Sequence, residues 1–311
     1  YDDPARFVAL RERLETLQRA HATHGNLLAY LSVPPSMYAP IVAQLGRAGL
    51  TREHCDGHGW MRVIVEKPFG RDLASARTLD KALRATLTEH QIYRIDHYVA
   101  KETVQNICML RFANTVFEPL WNRNHIDHVQ ITVGESVGVG ERAGYFEQAG
   151  VVRDMFQNHI LQLVALTAME TPASFSADAV HDAKAAVLRA IRPLQLDGDA
   201  PDIVRAQYTA GTLRDQTMLG YREEPGVAPD SCTETYAAVR LDIATERWRG
   251  VPFYLRSGKR LMCKKSEIAV VFKHVARSIF EPLTPRDLSA NVLVLNIQPD
   301  EGLALMIQAK K

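Results

Sequence analysis

The chain has 311 residues, 46% of them hydrophobic, which is enough to bury a sizeable core in two domains or one large one. Lysine and arginine total 37 against 36 for aspartate and glutamate, so no overall field draws in nucleic acid or an anionic membrane, and an anionic ligand needs a local cluster. Cys55, Cys108, Cys232 and Cys263 form no C-x-x-C pair and are too few for a disulfide framework; no apolar run reaches the roughly 18 residues of a membrane span and the start, YDDPARF, is charged, so a soluble cytoplasmic protein is expected.

Asp3-Pro4 supplies a cap and a first-turn proline, and Phe7, Leu10, Leu14 and Leu17 repeat at helical spacing, predicting an amphipathic helix. LLAYLSV then has the length of a buried strand and stops at Pro34-Pro35. A helix over about residues 37–47 leads to a second strand, MRVIVE. Strand, helix, strand is a βαβ unit, which predicts a parallel, Rossmann-like sheet with helices packed on it. A helix through Leu73, Ala76, Leu83 and Leu87 and a third strand, QIYRID, continue the alternation.

Past Lys101 the pattern changes, which sets the expected boundary between a partial dinucleotide-binding domain over residues 1–100 and a larger α+β domain over 101–311. Helices are predicted at KETVQNICMLRF, at VVRDMFQNHILQLVALTAM, apolar over most of its circumference and so buried, and at ADAVHDAKAAVLRAI. The runs HVQITVGE, TYAAVRLDI, VPFYLRSG, EIAVVF, NVLVLNI and LALMIQA read as strands of a mainly antiparallel sheet. Residues 197–230, rich in Gly, Asp, Pro and Thr, are expected to be mostly loop. The last run leads into lysines with no turn after it, and the front domain has no first βα turn, so both ends read as cut.

Three stretches concentrate chemistry. In Arg94-Ile95-Asp96-His97-Tyr98-Val99-Ala100-Lys101-Glu102 a strand gives way to a helix, the position where open α/β sheets bind ligands. An imidazole, a phenol and an ammonium there can converge on one phosphate, although the same residues also suit a solvated polar loop. In Gly150-Val151-Val152-Arg153-Asp154-Met155-Phe156-Gln157-Asn158-His159, the acid and the histidine stand five apart, on different faces of an α-helix, so each needs a partner elsewhere. His159 is either a satisfied core residue or a base, and as a base it requires a carboxylate, with Asp96 the candidate. Glu66-Lys67-Pro68-Phe69-Gly70 places a lysine at the carboxyl end of a strand.

In this order and at these separations the three stretches resemble the signature of the glucose-6-phosphate dehydrogenases. ITVGES, GYFEQAGVVRDM, VPFYLRSGK and NIQPDEG agree, and the likeness runs from the turn at 31–35 to Lys310. The resemblance implies that His159 is the general base and Asp96 the carboxylate that orients it. It implies that His97, Tyr98 and Lys101 bind the substrate phosphate, that Glu135 and Asp154 hold sugar hydroxyls, and that Lys259 and Lys264 are further substrate-binding lysines. Lys67 would touch both sugar and cofactor, and Tyr38 would lie on the nicotinamide side. The implied reaction, the first step of the oxidative pentose phosphate pathway, oxidises glucose 6-phosphate at C1 to the lactone, with hydride transfer to NADP or NAD. A homo-oligomer through the large sheet is expected, with no metal and no nucleic-acid partner.

Two patterns are set aside. Gly138-Val139-Gly140-Glu141-Arg142-Ala143-Gly144 resembles a dinucleotide fingerprint, but its last spacing is one residue too long and GYFEQAG does not read as an immediate helix start, so a flexible loop is expected. His54-Cys55-Asp56-Gly57-His58 has metal-ligand residue types without a second cluster to complete four ligands. Against the family, the pyrophosphate-cradling first turn would precede Tyr1, Val99-Ala100 stands for Leu-Gly, and Ala304 stands where some relatives carry a tyrosine for a structural NADP, so no such second site is expected. A sugar oxidoreductase sharing only Glu-Lys-Pro, and a non-catalytic sugar-phosphate-binding or assembly module lacking the cofactor half, are the other readings.

Overall fold

Residues 27–31, 61–65 and 92–94 are short runs dominated by apolar side chains, and each becomes a short strand. The computed structural model describes residues 1–53, 59–213, 215–280 and 282–309, so the His54 to His58 cluster lies outside the described residues. The chain divides into two compact units, Tyr1–Asp96 and His97–Lys311.

In the first unit, α1 (Pro4–His21) starts where Asp3 accepts from the Ala5 N–H. Its apolar stripe is only half-buried, with Phe7 against the unit's core and Leu10 exposed. Then follow β1 (Leu27–Leu31), α2 (Tyr38–Arg47), β2 (Met61–Val65), α3 (Leu73–Arg84) and β3 (Ile92–Arg94). The strands pair in parallel in the order β1-β2-β3. A capping box starts α3: Asp72 Oδ1 accepts from the Ser75 N–H at 2.7 Å and Ser75 Oγ from the Asp72 N–H at 3.1 Å. Leu31, Val63, Val65 and Ile92 pack with Ile41, Val42, Leu45 and Leu83 of the helices on one face of the sheet. The opposite face departs from the expectation of a fully buried first strand. Leu28 and Tyr30 are 53% and 56% exposed, because within this unit the apolar cluster lies on one side only.

Glu53 ties the segment before β2 to the segment before β3. Its Oε2 lies 2.7 Å from His90 Nε2, while Oε1 accepts from the Met61 N–H at 3.0 Å and from the Arg62 guanidinium. These contacts, the His90 bond foremost, hold the carboxyl down to about 2. Because the folded pKa lies below the ordinary value of 4.5, the stabilisation is complete above 4.5 and is lost as pH falls toward about 2.

The second unit carries α4 (Glu102–Phe112), β4 (Ile126–Gly134), α5 (Ala143–Val151), α6 (Leu161–Ala168), α7 (Ala177–Ala190) and β5 (Ile203–Ala206). A small hairpin of β6 (Gly211–Leu213) and β7 (Gln216–Met218) precedes β8 (Tyr236–Asp242), β9 (Pro252–Gly258), β10 (Lys265–Phe272), β11 (Val292–Gln298) and β12 (Gly302–Met306). The large sheet runs β12-β11-β10-β4-β9-β8-β5. It is antiparallel except for the central pair β4 and β9, which is parallel. Segment 197–230 is mostly loop, as read from its composition, and also carries β5, β6 and β7. Its strands are only three or four residues long, too short for alternation to register.

Between α5 and α6, residues Val152–Ile160 form a π-helix, so one long helical run crosses the core from 143 to 168. GYFEQAG is helical rather than loop, and the turn before it is held by the Gly140 N–H bond to Glu224 Oε2 at 2.9 Å. Gly150 breaks the run at φ 63° and ψ 172°, a region essentially reserved for glycine, and a Cβ there would meet Glu234 Oε1 at 2.4 Å. The break lets Glu234 cap the π-helix. Its carbonyl accepts from the Val151 N–H at 3.0 Å and its Oε1 from the Val152 N–H at 3.3 Å.

The far end of the run is buried, where carbonyls cannot turn to water. Leu166 and Met169 accept from the Arg111 guanidinium at 3.0 and 2.8 Å, Thr167 from Trp121 Nε1 at 2.8 Å and Ala168 from Trp248 Nε1 at 2.8 Å. Arg111, Trp121 and Trp248 have no exposed surface.

Two outcomes are expected. Arg111→Leu strands two buried carbonyls and should lower the unfolding free energy by about 3 kcal/mol in urea titrations followed by Trp121 and Trp248 fluorescence. In Glu53→Gln, hydrogen exchange at the β2 amides should be faster than in the parent at about pH 6, with the gap closing toward about pH 2.5 as the native carboxyl protonates.

Candidate active site

The loop between β3 and α4 delivers its groups into the second unit at once. Tyr98 is buried at 5% exposure, with its hydroxyl 3.3 Å from Ser266 Oγ on β10. The Lys101 ammonium lies 4.3 Å from the Tyr98 ring centroid, a cation–π arrangement that keeps the charge beside a buried phenol. Burial, and then the neighbouring Lys264, lower the Lys101 pKa, with Glu301 opposing. Lys264 itself is exposed, as is His97.

His159, 1% exposed, is enclosed by the same loop. Tyr98 stacks on its ring at 4.4 Å with 23° between planes, and His97 meets it edge-on at 4.4 Å and 71°. Asp154 and His159 lie within the π-helical stretch, so the α pitch assumed in reading them as facing apart does not apply there. Both side chains are buried, and the Tyr145 hydroxyl donates to Asp154 Oδ1 at 3.2 Å.

Glu135 and Lys259 follow β4 and β9. Because these strands are parallel with Gly134 opposite Gly258, the two residues emerge side by side at the same end. The Lys259 ammonium donates to Glu135 Oε2 at 2.6 Å, and the Glu135 N–H bonds the Gly258 carbonyl at 2.9 Å. Lys259 is 8% exposed and is paired with that carboxylate. The π-helix packs against both strands.

In the first unit, Tyr38 is buried and its hydroxyl donates to the Glu66 carbonyl at 3.0 Å. It therefore sits at the carboxyl end of β2, one peptide from Lys67. Tyr30 donates to Glu66 Oε1 at 2.6 Å at the same place. Asp96 is half-buried, closes the unit and is bonded directly to His97.

Sequence reasoning missed three contributors: Tyr145, Glu234 and Ser266. No periodic signal could have found Tyr145, since nine positions on an α-helix, about two and a half turns, separate faces rather than join them. Glu234 lies in a Thr-rich lead into β8 with no local pattern, and Ser266 reads as an ordinary strand residue.

The glucose-6-phosphate dehydrogenase NAD binding domain matches residues 1–106, and the C-terminal domain of the same enzymes matches residues 108–311. The glucose-6-phosphate 1-dehydrogenase of Aggregatibacter actinomycetemcomitans is 48% identical over 309 residues, covering 99% of this chain and 61% of its own length. Glucose-6-phosphate 1-dehydrogenase 2 of Mycobacterium tuberculosis is 47% identical over 311 residues, covering 100% and 60%. A glucose-6-phosphate dehydrogenase solved in complex with its substrate glucose-6-phosphate matches with a TM-score of 0.90 at 38% identity, over 100% of this chain and 61% of that one. The Mycobacterium avium enzyme matches at 0.85 and 40%, over 100% and 63%. The chain thus spans about three fifths of the length of these relatives. With both domain models matched in order and nearly half of all positions shared with curated members, this chain belongs to the glucose-6-phosphate dehydrogenase family.

Proposed function

We propose that these residues form the sugar-phosphate-binding and proton-transfer part of an enzyme that oxidises glucose 6-phosphate at C1 to 6-phosphogluconolactone, the entry to the oxidative pentose phosphate pathway. The observation that carries the reading is the enclosure of His159. A buried imidazole stacked on Tyr98 and met edge-on by His97, 4.4 Å away in each case, has its ring plane fixed by the loop that also presents Lys101. A core histidine needs no such company.

In this reading His97, Tyr98, Lys101 and Lys264 receive the phosphate, whose charge relieves the repulsion between the two lysines. Glu135 and Asp154 accept sugar hydroxyls, with Lys259 holding the Glu135 carboxylate in place. His159 takes the C1 hydroxyl proton as the C1 hydrogen departs with its electron pair, leaving a carbonyl at C1. A base near neutral pKa suits this step, because the hydroxyl becomes acidic only as the hydride leaves. Asp96 is assigned as the carboxylate that stabilises the resulting imidazolium.

A nicotinamide dinucleotide, when bound, supplies the hydride acceptor; NADP is the form proposed, with NAD the alternative. Tyr38 and Lys67 would hold its nicotinamide end, and they fit because the Tyr38 hydroxyl is fixed to the Glu66 carbonyl beside Lys67. We further propose that the outer face of the large sheet joins two copies of the chain. In register across it stand Tyr254, Gln130, Ala269, Val294 and Ala304, a flat row with small side chains at its centre.

In the complete gene product carrying these residues, His159→Asn should lower kcat for glucose 6-phosphate by roughly 10²–10⁴ with little change in KM. The readout is reduced nicotinamide, with NADP and NAD compared side by side. Sugar-phosphate binding by calorimetry without turnover on either dinucleotide would instead favour a binding module. Tyr254→Glu should shift the sedimenting species from dimer toward monomer while glucose 6-phosphate affinity stays within about twofold, since like charges would oppose each other across the paired faces.

A further inference from the structure

Tyr145 stands on α5, before the Gly150 break, and Asp154 stands in the π-helix after it. They are nine residues apart, yet the Tyr145 hydroxyl lies 3.2 Å from Asp154 Oδ1. An uninterrupted α-helix would put them on opposite faces, about two and a half turns along. The contact therefore exists only because the glycine break and the wider turn fold the run back on itself. The far side of the phenol is also occupied, by the Arg142 guanidinium 5.0 Å from the ring centroid. Tyr145 is thus gripped between a cation and a carboxylate. Burial and the Asp154 charge raise its pKa to about 12, so at neutral pH it remains a donor.

We propose that Tyr145 is a positioning residue that sets sugar specificity by fixing the rotation of the Asp154 carboxylate toward one ring hydroxyl of the substrate. The proposal rests on the reading of Asp154 as a sugar-hydroxyl acceptor. A carboxylate held at one oxygen by a half-buried phenol is hindered from swinging to follow a hydroxyl of the wrong configuration. Sites built to hydrogen-bond a hydroxyl discriminate strongly against substrates that present it wrongly, because their polar groups are then left unmatched.

The test is a double-mutant cycle of Tyr145→Phe and Asp154→Asn in the complete gene product, assayed with glucose 6-phosphate, its C2 and C4 epimers, and the 2-deoxy and 3-deoxy sugar phosphates. Tyr145→Phe keeps the ring and its Arg142 contact and removes only the hydroxyl. It should raise KM for glucose 6-phosphate about tenfold with kcat within about twofold, and narrow the preference over at least one epimer by a similar factor. The double variant should lose no more than Asp154→Asn alone. An equal loss on every sugar, a fall in kcat without a change in KM, or additive losses would overturn the positioning role. If Asp154→Asn raises KM strongly while Tyr145→Phe changes nothing, the tyrosine proposal alone fails. If Asp154→Asn leaves KM for all five sugars unchanged, the site reading fails and takes this proposal with it.

Discussion

A helix that crosses a dry core must find partners for the polar groups at both of its ends, and the second unit is arranged around that requirement. At the front, the glycine at 150 opens the backbone so that Glu234 can receive two N–H groups. At the back, four consecutive carbonyls are met by one guanidinium and two indoles, none with any exposed surface. Removing water from those carbonyls without replacing it would cost a few kcal/mol each. With both ends anchored, the middle is free to adopt the wider π turn without drifting along its axis. His159 owes its position to these two anchors as much as to its neighbours in sequence.

The electrostatics of the site follow a related logic of charges placed where they are matched or waiting. Lys259 is nearly buried and matched by Glu135, a pair made possible because two parallel strands end level with each other. The Lys101 pKa is lowered by burial and then by the neighbouring Lys264, with Glu301 opposing. Positive charge is gathered here by local arrangement in a chain with almost no net charge.

Much of this could be read from the residues, and the exceptions share a cause. The βαβ alternation of the first unit, the long helices and the central strands were legible because apolar periodicity and turn residues repeat over enough positions to register. The short strands between 203 and 218 were not, since three or four residues carry no period. Gly150 was visible as a glycine, but sequence gives no sign of its φ, and the apolar spacing around Asp154 and His159 is equally compatible with α pitch. The motifs named candidate site residues while the side chains that contact them remained hidden. Partners such as Tyr145 and Glu234 are defined by backbone irregularity, which leaves no pattern in side-chain type.

The single parallel pairing at the centre of the sheet has a consequence for how the molecule is assembled over time. Glu135 and Lys259 are 124 positions apart, and joining β4 to β9 closes a loop that contains the whole helical run, α7 and the hairpin, while the antiparallel pairing of β4 with β10 closes a longer one still. Closing so long a loop is entropically costly before its contacts repay it, and pairings of this kind are slow. The level ends of those strands also create the Glu135–Lys259 pair. The Glu135–Lys259 pair therefore forms only once this long-range pairing has closed, however early the helices and the hairpin take shape.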